Sequence, residues 1–239
     1  MVTRRTYGSY NDGCAAAHAL DLIGDRWALI IVRELVLGPK RFIDLQHDIP
    51  GIGPSVLSRR LHDLEESGIV DRRLLPRPAD STVYELTDWG RELEEVNAAL
   101  SRWAVRSPRL PLQADMSPDT LVLAMRAHAR PAPGSDVPRR VALQLTDSRS
   151  AGNEPVGYLA TVGPAGTRIT KEPIPDDVDA RVQASTSAWK ALVIGGSPIE
   201  DAQGIVITGD AAAVQALLTA TRLQVPDVTR RRSGGSSKP

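Results

Sequence analysis

A short segment with two prolines, residues 106–111 (RSPRLP), divides the chain into two parts of different composition. Proline fixes φ and cannot continue a helix or a central strand, so such a segment favours a semi-rigid linker. Of the nine aromatic residues, seven precede position 104, and only Tyr158 and Trp189 follow it. Because 239 residues are enough for two domains with separate cores, we predict two domains with a boundary near residues 106–116.

The overall charge and the cysteine content exclude several classes of protein. The 29 basic and 29 acidic side chains cancel, which argues against a polybasic nucleic-acid coat or a disordered tail protein. A single cysteine excludes an intrachain disulfide framework and an all-cysteine zinc site. No apolar run reaches the ~18 residues of a membrane span, and no apolar stretch follows the arginines of the first residues. We therefore expect a soluble, cytoplasmic protein with no membrane partner.

The first part has the pattern of a helical domain that ends in a hairpin and a last helix. Helices are predicted over residues 14–23, 26–37, 42–48 and 55–67, strands over 69–75 and 82–86, and a loop over 76–81. Thr87 is placed to cap a last helix, whose apolar stripe is Leu93, Val96, Leu100 and Trp103. This order of elements is that of a winged helix-turn-helix.

The second part mixes helices and strands. Helices are predicted over residues 116–130, 186–194 and 211–223, and strands over 141–146, 157–162, 180–185 and 205–208. Ser117 and Asp210 are the expected N-caps. The fold class predicted for the whole chain is α+β.

The helix predicted over residues 55–67 has separate apolar and polar faces. At 100° per residue, Leu61 and Leu64 lie within about 40° of Leu57 and form a buried face. Serine, arginine and histidine side chains project from the opposite side and suit base edges and phosphates, whereas Arg60 can either reach a phosphate or bridge to a neighbouring helix. Further basic residues lie before the turn and around the loop between the strands, where a winged helix meets the DNA backbone. The predicted DNA contacts are Lys40, Arg41, Ser55, Ser58, Arg59, Arg60, His62, Arg72, Arg73 and Arg77.

The alternative reading is that Arg59 and Arg60 merely solvate an amphipathic helix.

Four segments carry a resemblance to a known family. They are ALDLIGDRWALIIVREL (19–35), GPKRFIDLQ (38–46), IGPSVLSRRLHDLEESGIVDRR (52–73) and VYELTDWGRELEEV (83–96), which together resemble the HxlR family of bacterial winged-helix regulators, a branch of the MarR-type group. The resemblance implies a homodimer on a palindromic DNA operator, with the helix at 55–67 in the major groove and the loop at 75–82 as the wing. It also implies dimerisation through the first and last helices of the domain, 14–23 and 88–103. Repression rather than activation is an expectation from the family.

Cys14 is a candidate redox sensor. Many HxlR-type proteins carry a cysteine near this position and some use it to sense oxidants or electrophiles. A helix N-terminus can lower the pKa of a thiol. Because the chain has no second cysteine, a disulfide could form only between the Cys14 residues of two chains or with a small thiol. The alternative is a small buried residue at the dimer interface.

The second part resembles a different family. Its segment at 180–220, with a strand, a Trp-bearing helix, a short acidic helix, a strand ending in Thr-Gly-Asp and an apolar last helix, resembles the end of a sterol-carrier-protein-2 (SCP2)-like domain. That resemblance implies a cavity for a small hydrophobic ligand that modulates the regulator. From the helical faces we predict its lining as Trp189, Leu192, Val193, Leu217 and Leu218. A closed, fully packed domain that supports the dimer is the alternative.

No catalytic motif is present. Phosphate-loop, G-x-S-x-G and H-E-x-x-H patterns are absent, and the four histidines are widely spaced. We therefore predict no enzyme activity, no cofactor and no metal. A lipid carrier or enzyme that uses its first domain only to dimerise remains the competing class.

The predicted organisation has five segments. It is a flexible arm (1–12), a winged helix-turn-helix domain (13–106), a linker (107–115), an SCP2-like domain (116–228) and a disordered tail (229–239).

Overall fold

The structure is a computed structural model, and it describes residues 9–77, 80–132, 137–150, 152 and 154–223. Its contacts group into two units, Met1–Asn97 and Ala98–Pro239. The predicted linker at 107–115 lies within the second unit, and the domain boundaries stay predictions. The predicted tail lies outside the described residues, as do the first eight residues of the predicted arm. Of the rest of that arm, Ser9 and Tyr10 hydrogen-bond the Asp21 carboxylate and are thereby held against the first helix.

The first unit contains helices and one small sheet. In chain order its elements are α1 (Ala15–Ile23), α2 (Ala28–Leu35), β1 (Lys40–Arg41), α3 (Phe42–Asp48), α4 (Pro54–Glu66), β2 (Val70–Leu74), β3 (Thr82–Leu86), α5 (Asp88–Arg91) and α6 (Leu93–Ala104). The last helix, α6, continues past Asn97 into the second unit. The sheet is antiparallel, in the order β1-β3-β2.

Local signals explain where α4 begins and ends. Pro54 occupies the first helical turn, where its missing N–H costs nothing, and Gly68 follows the helix with a φ of +73°, a value that glycine adopts without strain. The leucines at 57, 61 and 64 lie in the core of the unit at no more than 2% exposure, beside Ile31 and Leu45. The buried face predicted for this helix is therefore confirmed.

Three features of the first unit differ from the prediction. The helix predicted over 26–37 is shorter, because Trp27 is its N-cap and Val36 its C-cap. Lys40 and Arg41 form a strand that was not predicted, since a two-residue strand has no periodicity and exists through its pairing with Val83 and Tyr84. The last helix is interrupted at position 92, which separates α5 from α6.

The second unit is a five-stranded sheet with helices. Its elements after α6 are α7 (Pro118–Ala127), β4 (Arg139–Thr146), β5 (Val156–Gly163), β6 (Gly166–Thr170), β7 (Ala180–Ser185), α8 (Thr186–Val193), a 3₁₀ turn (Ile199–Asp201), β8 (Ile205–Gly209) and α9 (Ala211–Thr221). The strand order is β6-β5-β4-β7-β8, with β4 and β7 parallel and the other pairs antiparallel. The α+β class is confirmed, and the side chains of Ser117 and Asp210 cap α7 and α9 as predicted.

Strand β6 was not predicted. Its sequence, GTRIT, is short, and a two-residue turn joins it to β5 so that Gly163 pairs with Gly166. Only Ile169 of this strand is fully buried, which leaves almost no hydrophobic alternation to detect. Among the described residues, no helix is long and apolar enough to cross a membrane.

Candidate nucleic-acid interface

Helix α4 presents a continuous polar stripe to solvent. Ser55, Ser58, Arg59 and His62 are all exposed. They lie opposite the buried leucines because successive helical residues are rotated by about 100°. Each of these side chains can hydrogen-bond a base edge or a phosphate oxygen, so the stripe has the chemistry that a recognition helix needs. Contact with DNA stays a prediction for each of them.

Charge is distributed unequally along α4. Its first turn contains no acidic residue, and among the described residues no side chain caps its N-terminus, where Gly53 is the N-cap. The acidic residues Asp63, Glu65 and Glu66 all lie in its last turns. Because backbone N–H groups and the helix dipole attract anions at an N-terminus, the first turn is the end of α4 that suits phosphate.

Arg60 acts within the protein. Its guanidinium lies 2.7 Å from the carboxylate of Asp63 on the same helix and 3.2 Å from that of Asp25, in the turn between α1 and α2. The side chain is about three-quarters buried. Of the two roles left open for Arg60, the structure therefore shows the bridge to a neighbouring element, and the phosphate contact predicted for it is not supported.

Lys40 is a correction to the predicted DNA contacts. Its Nζ lies 2.9 Å from Glu34 Oε2 and 2.8 Å from Asp48 Oδ2, and the lysine and Glu34 side chains are 9% and 0% exposed. The guanidinium of Arg33 also donates to Glu34. A lysine held between two carboxylates in the interior does not present its charge to solvent, because strand β1 directs its side chain inward.

Arg41, the next residue, is exposed and forms part of a cap. Its guanidinium makes two hydrogen bonds of 2.8 Å with the carboxylate of Asp44, and the Asp44 carboxylate accepts from the Arg41 backbone N–H at the start of α3. These hydrogen bonds lower the pKa of Asp44 and raise that of Arg41. Arg41 is therefore a surface residue, and its ion pair with Asp44 neutralises part of its charge.

The three arginines near the wing differ in their surroundings. Arg72 and Arg73 are neighbours on β2, are both exposed, and leave the strand on opposite faces of the sheet. Arg73 donates to both carboxylate oxygens of Glu85, at 2.7 and 3.1 Å, and this lowers the pKa of Glu85. Arg77 is exposed in the turn after β2, next to residues 78 and 79, which lie outside the described part of the chain.

Two exposed apolar side chains on α3 and α4 were missed by the sequence analysis. Val56 in the first turn of α4 is 39% exposed, and Ile43 on α3 is 66% exposed. Helical phase could have revealed Val56, because it lies about 100° from the buried Leu57 around the helix axis and so falls outside the apolar face.

The lone cysteine is exposed and lies at the start of α1. Cys14 is the N-cap residue of that helix. The backbone N–H groups of Ala17 and Ala16 in the first turn lower the pKa of the thiol, because they stabilise the thiolate. The sulfur is therefore accessible in this chain.

Helix α6 has an apolar face that is exposed within the described part of the chain. Leu93 packs against the core of the first unit, but Val96, Leu100 and Trp103 are 40%, 45% and 69% exposed. Leu20 on α1 is also half exposed. The apolar stripe predicted for the last helix is thus present at the surface.

The second unit buries most of the residues predicted to line a ligand cavity. Trp189, Leu192, Val193 and Leu217 are at most 1% exposed and belong to its core. A cavity of about 530 Å³, open to solvent, lies between α9 and the segment around residue 198. Leu218 is the one predicted residue that lines it; the others in its wall include Arg130, Ile199 and Arg222.

The comparison with known proteins identifies the first part of the chain. HxlR-like helix-turn-helix proteins match residues 22–109. The HTH-type transcriptional regulator YodB of Bacillus subtilis is 38% identical over 86 residues, which are 36% of this chain and 77% of YodB. The chain belongs to the HxlR-like helix-turn-helix family.

A second relative agrees with this HxlR-like assignment, and YodB itself has a solved structure. YvaP, an uncharacterised HTH-type transcriptional regulator of the same organism, is 36% identical over 86 residues, or 36% of this chain and 80% of YvaP. The solved reduced form of YodB is 35% identical, covers 40% of this chain and 95% of that one, and has a TM-score of 0.37. These relatives are named transcriptional regulators, not enzymes, and the HxlR-like chain is a DNA-binding transcriptional regulator.

Proposed function

We propose that this HxlR-like protein is a dimeric repressor that occupies a palindromic operator, with α4 in the major groove of each half-site. The polar stripe of α4 carries the proposal. Ser55, Ser58 and Arg59 line it near an N-terminus free of acidic residues, and recognition helices contact base edges with their N-terminal residues. Arg77, exposed in the turn after β2, would add a contact to the DNA backbone or the minor groove.

The test is salt-dependent binding of the purified protein to DNA from its own promoter region. Arg59→Ala and Arg77→Ala should each weaken binding, and loss of a phosphate contact should also reduce the slope of log affinity against log salt by about 1. Arg168→Ala, which removes an exposed arginine from β6 in the second unit, is the matched control. If neither Arg59→Ala nor Arg77→Ala weakened binding beyond the control, the assignment of these contacts would fail.

The exposed apolar face of α6 supports the proposed dimer. An apolar stripe of Val96, Leu100 and Trp103 left in water is unfavourable, and burying it against a second copy would remove that cost. Exposed Leu20 on α1 supports the same pairing. Leu100→Glu should shift the protein from dimer to monomer in analytical ultracentrifugation, and since the half-sites of a palindrome are bound together, DNA affinity should fall with it.

We propose further that the second unit is an SCP2-like sensor for a small hydrophobic ligand. Its helices on a mixed sheet agree with that family. The open cavity of about 530 Å³ beside α9, whose wall combines Ile199 and Leu218 with polar and charged side chains, is the space proposed for the ligand. A ligand would regulate only through different affinities for the DNA-binding and non-binding arrangements of the dimer. Native mass spectrometry of gently purified protein tests both points: a dimer that carries an additional apolar molecule supports them, and an empty monomer contradicts them.

A second candidate function is redox sensing through Cys14. The observation that favours it is an exposed thiol whose pKa is lowered by backbone N–H groups. YodB, the relative described above, has been solved in a reduced form and in a quinone-bound form. Treatment with an oxidant or a quinone should weaken operator binding by the wild type and leave Cys14→Ser unaffected. An equal response of both proteins would exclude this role.

A further inference from the structure

Val56 lies in the first turn of α4, outside the core-facing side of the helix. It is the third residue of the helix, 39% exposed, and lies outside the leucine face that packs into the core. Valine is a poorer helix former than alanine, and at this position glutamate or glutamine could reach back to cap the helix N-terminus. An exposed β-branched side chain here stabilises the helix less than several alternatives would.

The helical neighbours of Val56 are two arginines, the exposed Arg59 at i+3 and the ion-paired Arg60 at i+4. At 100° per residue Val56 lies about 60° from Arg59 and about 100° from Ser55 around the helix axis. It is therefore next to Arg59, on the flank away from Ser58. Residues of the first helical turn are those that reach base edges when a recognition helix enters the major groove.

Only one apolar group is presented by the base pairs of unmodified DNA in the major groove, the C5-methyl group of thymine. We propose that Val56 contacts the C5-methyl of a thymine in each half-site, next to the base pair that Arg59 contacts, and so determines part of the operator sequence. This inference rests on the proposed function. Val56 excludes water from the methyl group, and the free energy gained is that of burying apolar surface, whereas cytosine at the same position offers a polar N4 amine instead.

The experiment removes the methyl group of thymine and the γ-methyl groups of Val56 separately. Bound duplexes are first selected from a random library with the full-length protein, and each thymine of the selected site is then replaced singly by deoxyuridine, which lacks only the methyl group. For the wild type, one thymine per half-site should show a loss of affinity of about fourfold, the value expected for one buried methyl group. For Val56→Ala, the same replacement should have no effect.

Two further variants separate the contact from indirect effects. Val56→Thr keeps one of the two γ-methyl groups and should retain part of the sensitivity to deoxyuridine. Val206→Ala makes the same change as Val56→Ala at an exposed valine of β8 in the second unit and should behave as the wild type. Alanine favours a helix, so the melting temperature of Val56→Ala should not fall, which excludes misfolding as the cause.

Failure of this inference is distinguishable from failure of the proposed function. If no duplex is selected, the protein does not recognise DNA and both fail. If a site is selected but the wild type tolerates deoxyuridine at every thymine, or Val56→Ala keeps the wild-type sensitivity, the contact is refuted while the DNA-binding proposal stands.

Discussion

Replacing Lys40 with methionine tests whether this lysine stabilises the fold or contacts DNA. Methionine keeps most of the length and the apolar stem of the side chain and removes the ammonium group between Glu34 and Asp48. Glu34 is then left at 0% exposure with less compensation for its charge. Breaking a buried ion pair by removal of one partner typically costs about 3–5 kcal/mol, because the remaining charge stays desolvated.

The lower end of that range applies to Lys40→Met. Glu34 retains the Arg33 guanidinium, which donates to it at 2.8 and 3.1 Å, and Asp48 is 19% exposed, so water can solvate part of its charge. We therefore expect a loss of about 3 kcal/mol in the free energy of unfolding, equivalent to a fall of more than about 10 °C in melting temperature for a unit of this size. Urea unfolding of the full-length protein, followed by circular dichroism, measures it.

Two comparisons show whether the buried charge is the cause. Arg41→Met, at the adjacent position, removes an exposed ion pair with Asp44 and should leave stability close to that of the wild type. Adding Glu34→Gln to Lys40→Met should recover part of the loss, since a neutral amide no longer carries a buried charge. If Lys40→Met unfolded at the wild-type urea concentration and instead weakened DNA binding with a flatter salt dependence, the structural role would be wrong and the original DNA contact right.

Two other predictions concern pH and backbone packing. Burial, together with the charges of Arg102 and Arg130, lowers the pKa of His128 from its usual value near 6.5. The unfolded chain therefore binds this proton more readily than the folded protein does. The stability contributed by His128 should be fully present above pH 6.5 and should fall as the pH drops from 6.5 toward the lower pKa of the folded state. His128→Gln should flatten this part of the stability–pH curve measured by thermal unfolding, and an unchanged slope would contradict the assignment. Gly90→Ala should destabilise the protein by about 1–3 kcal/mol in urea unfolding, because its methyl group would overlap the carbonyl oxygen of Ile69; wild-type stability would show that the backbone shifts without cost.

Structural features that depend only on residues close together in the sequence, such as helix caps, could be predicted. The N-caps Thr87, Ser117 and Asp210 each accept a hydrogen bond from a backbone N–H in the first turn of the helix that follows, and this arrangement requires only residues within three positions. The buried face of α4 is equally local, because Leu57 and Leu61 are brought together by the helix itself. The bounds of these elements consequently differ from the prediction by only a few residues.

The roles of individual charges depend on contacts between elements, which the sequence pattern does not contain. Lys40 meets its partners only because a two-residue strand, visible through its pairing with β3, turns the lysine inward. Arg60 could have been matched with Asp63 from their spacing, but its second partner, Asp25, comes from a different part of the unit. The sequence therefore identified the basic residues of the domain, but only the structure shows which of them reach the surface.

The charge distribution along α4 predicts opposite effects of one substitution on stability and on DNA binding. Ser55→Asp places a carboxylate in the first turn, where the helix dipole and free N–H groups favour a negative charge, so the free energy of unfolding should rise by about 0.3–1 kcal/mol. The same carboxylate would face phosphates and base edges if that turn enters the major groove. Affinity for DNA should therefore fall by about 5- to 150-fold, which corresponds to the roughly 1–3 kcal/mol that a specific contact contributes. Glu66→Gln, at the last residue of α4, is the control and should change affinity little, because recognition helices contact base edges with their N-terminal residues. A variant Ser55→Asp that is more stable and still binds DNA as tightly as the wild type would show that the first turn of α4 stays outside the groove.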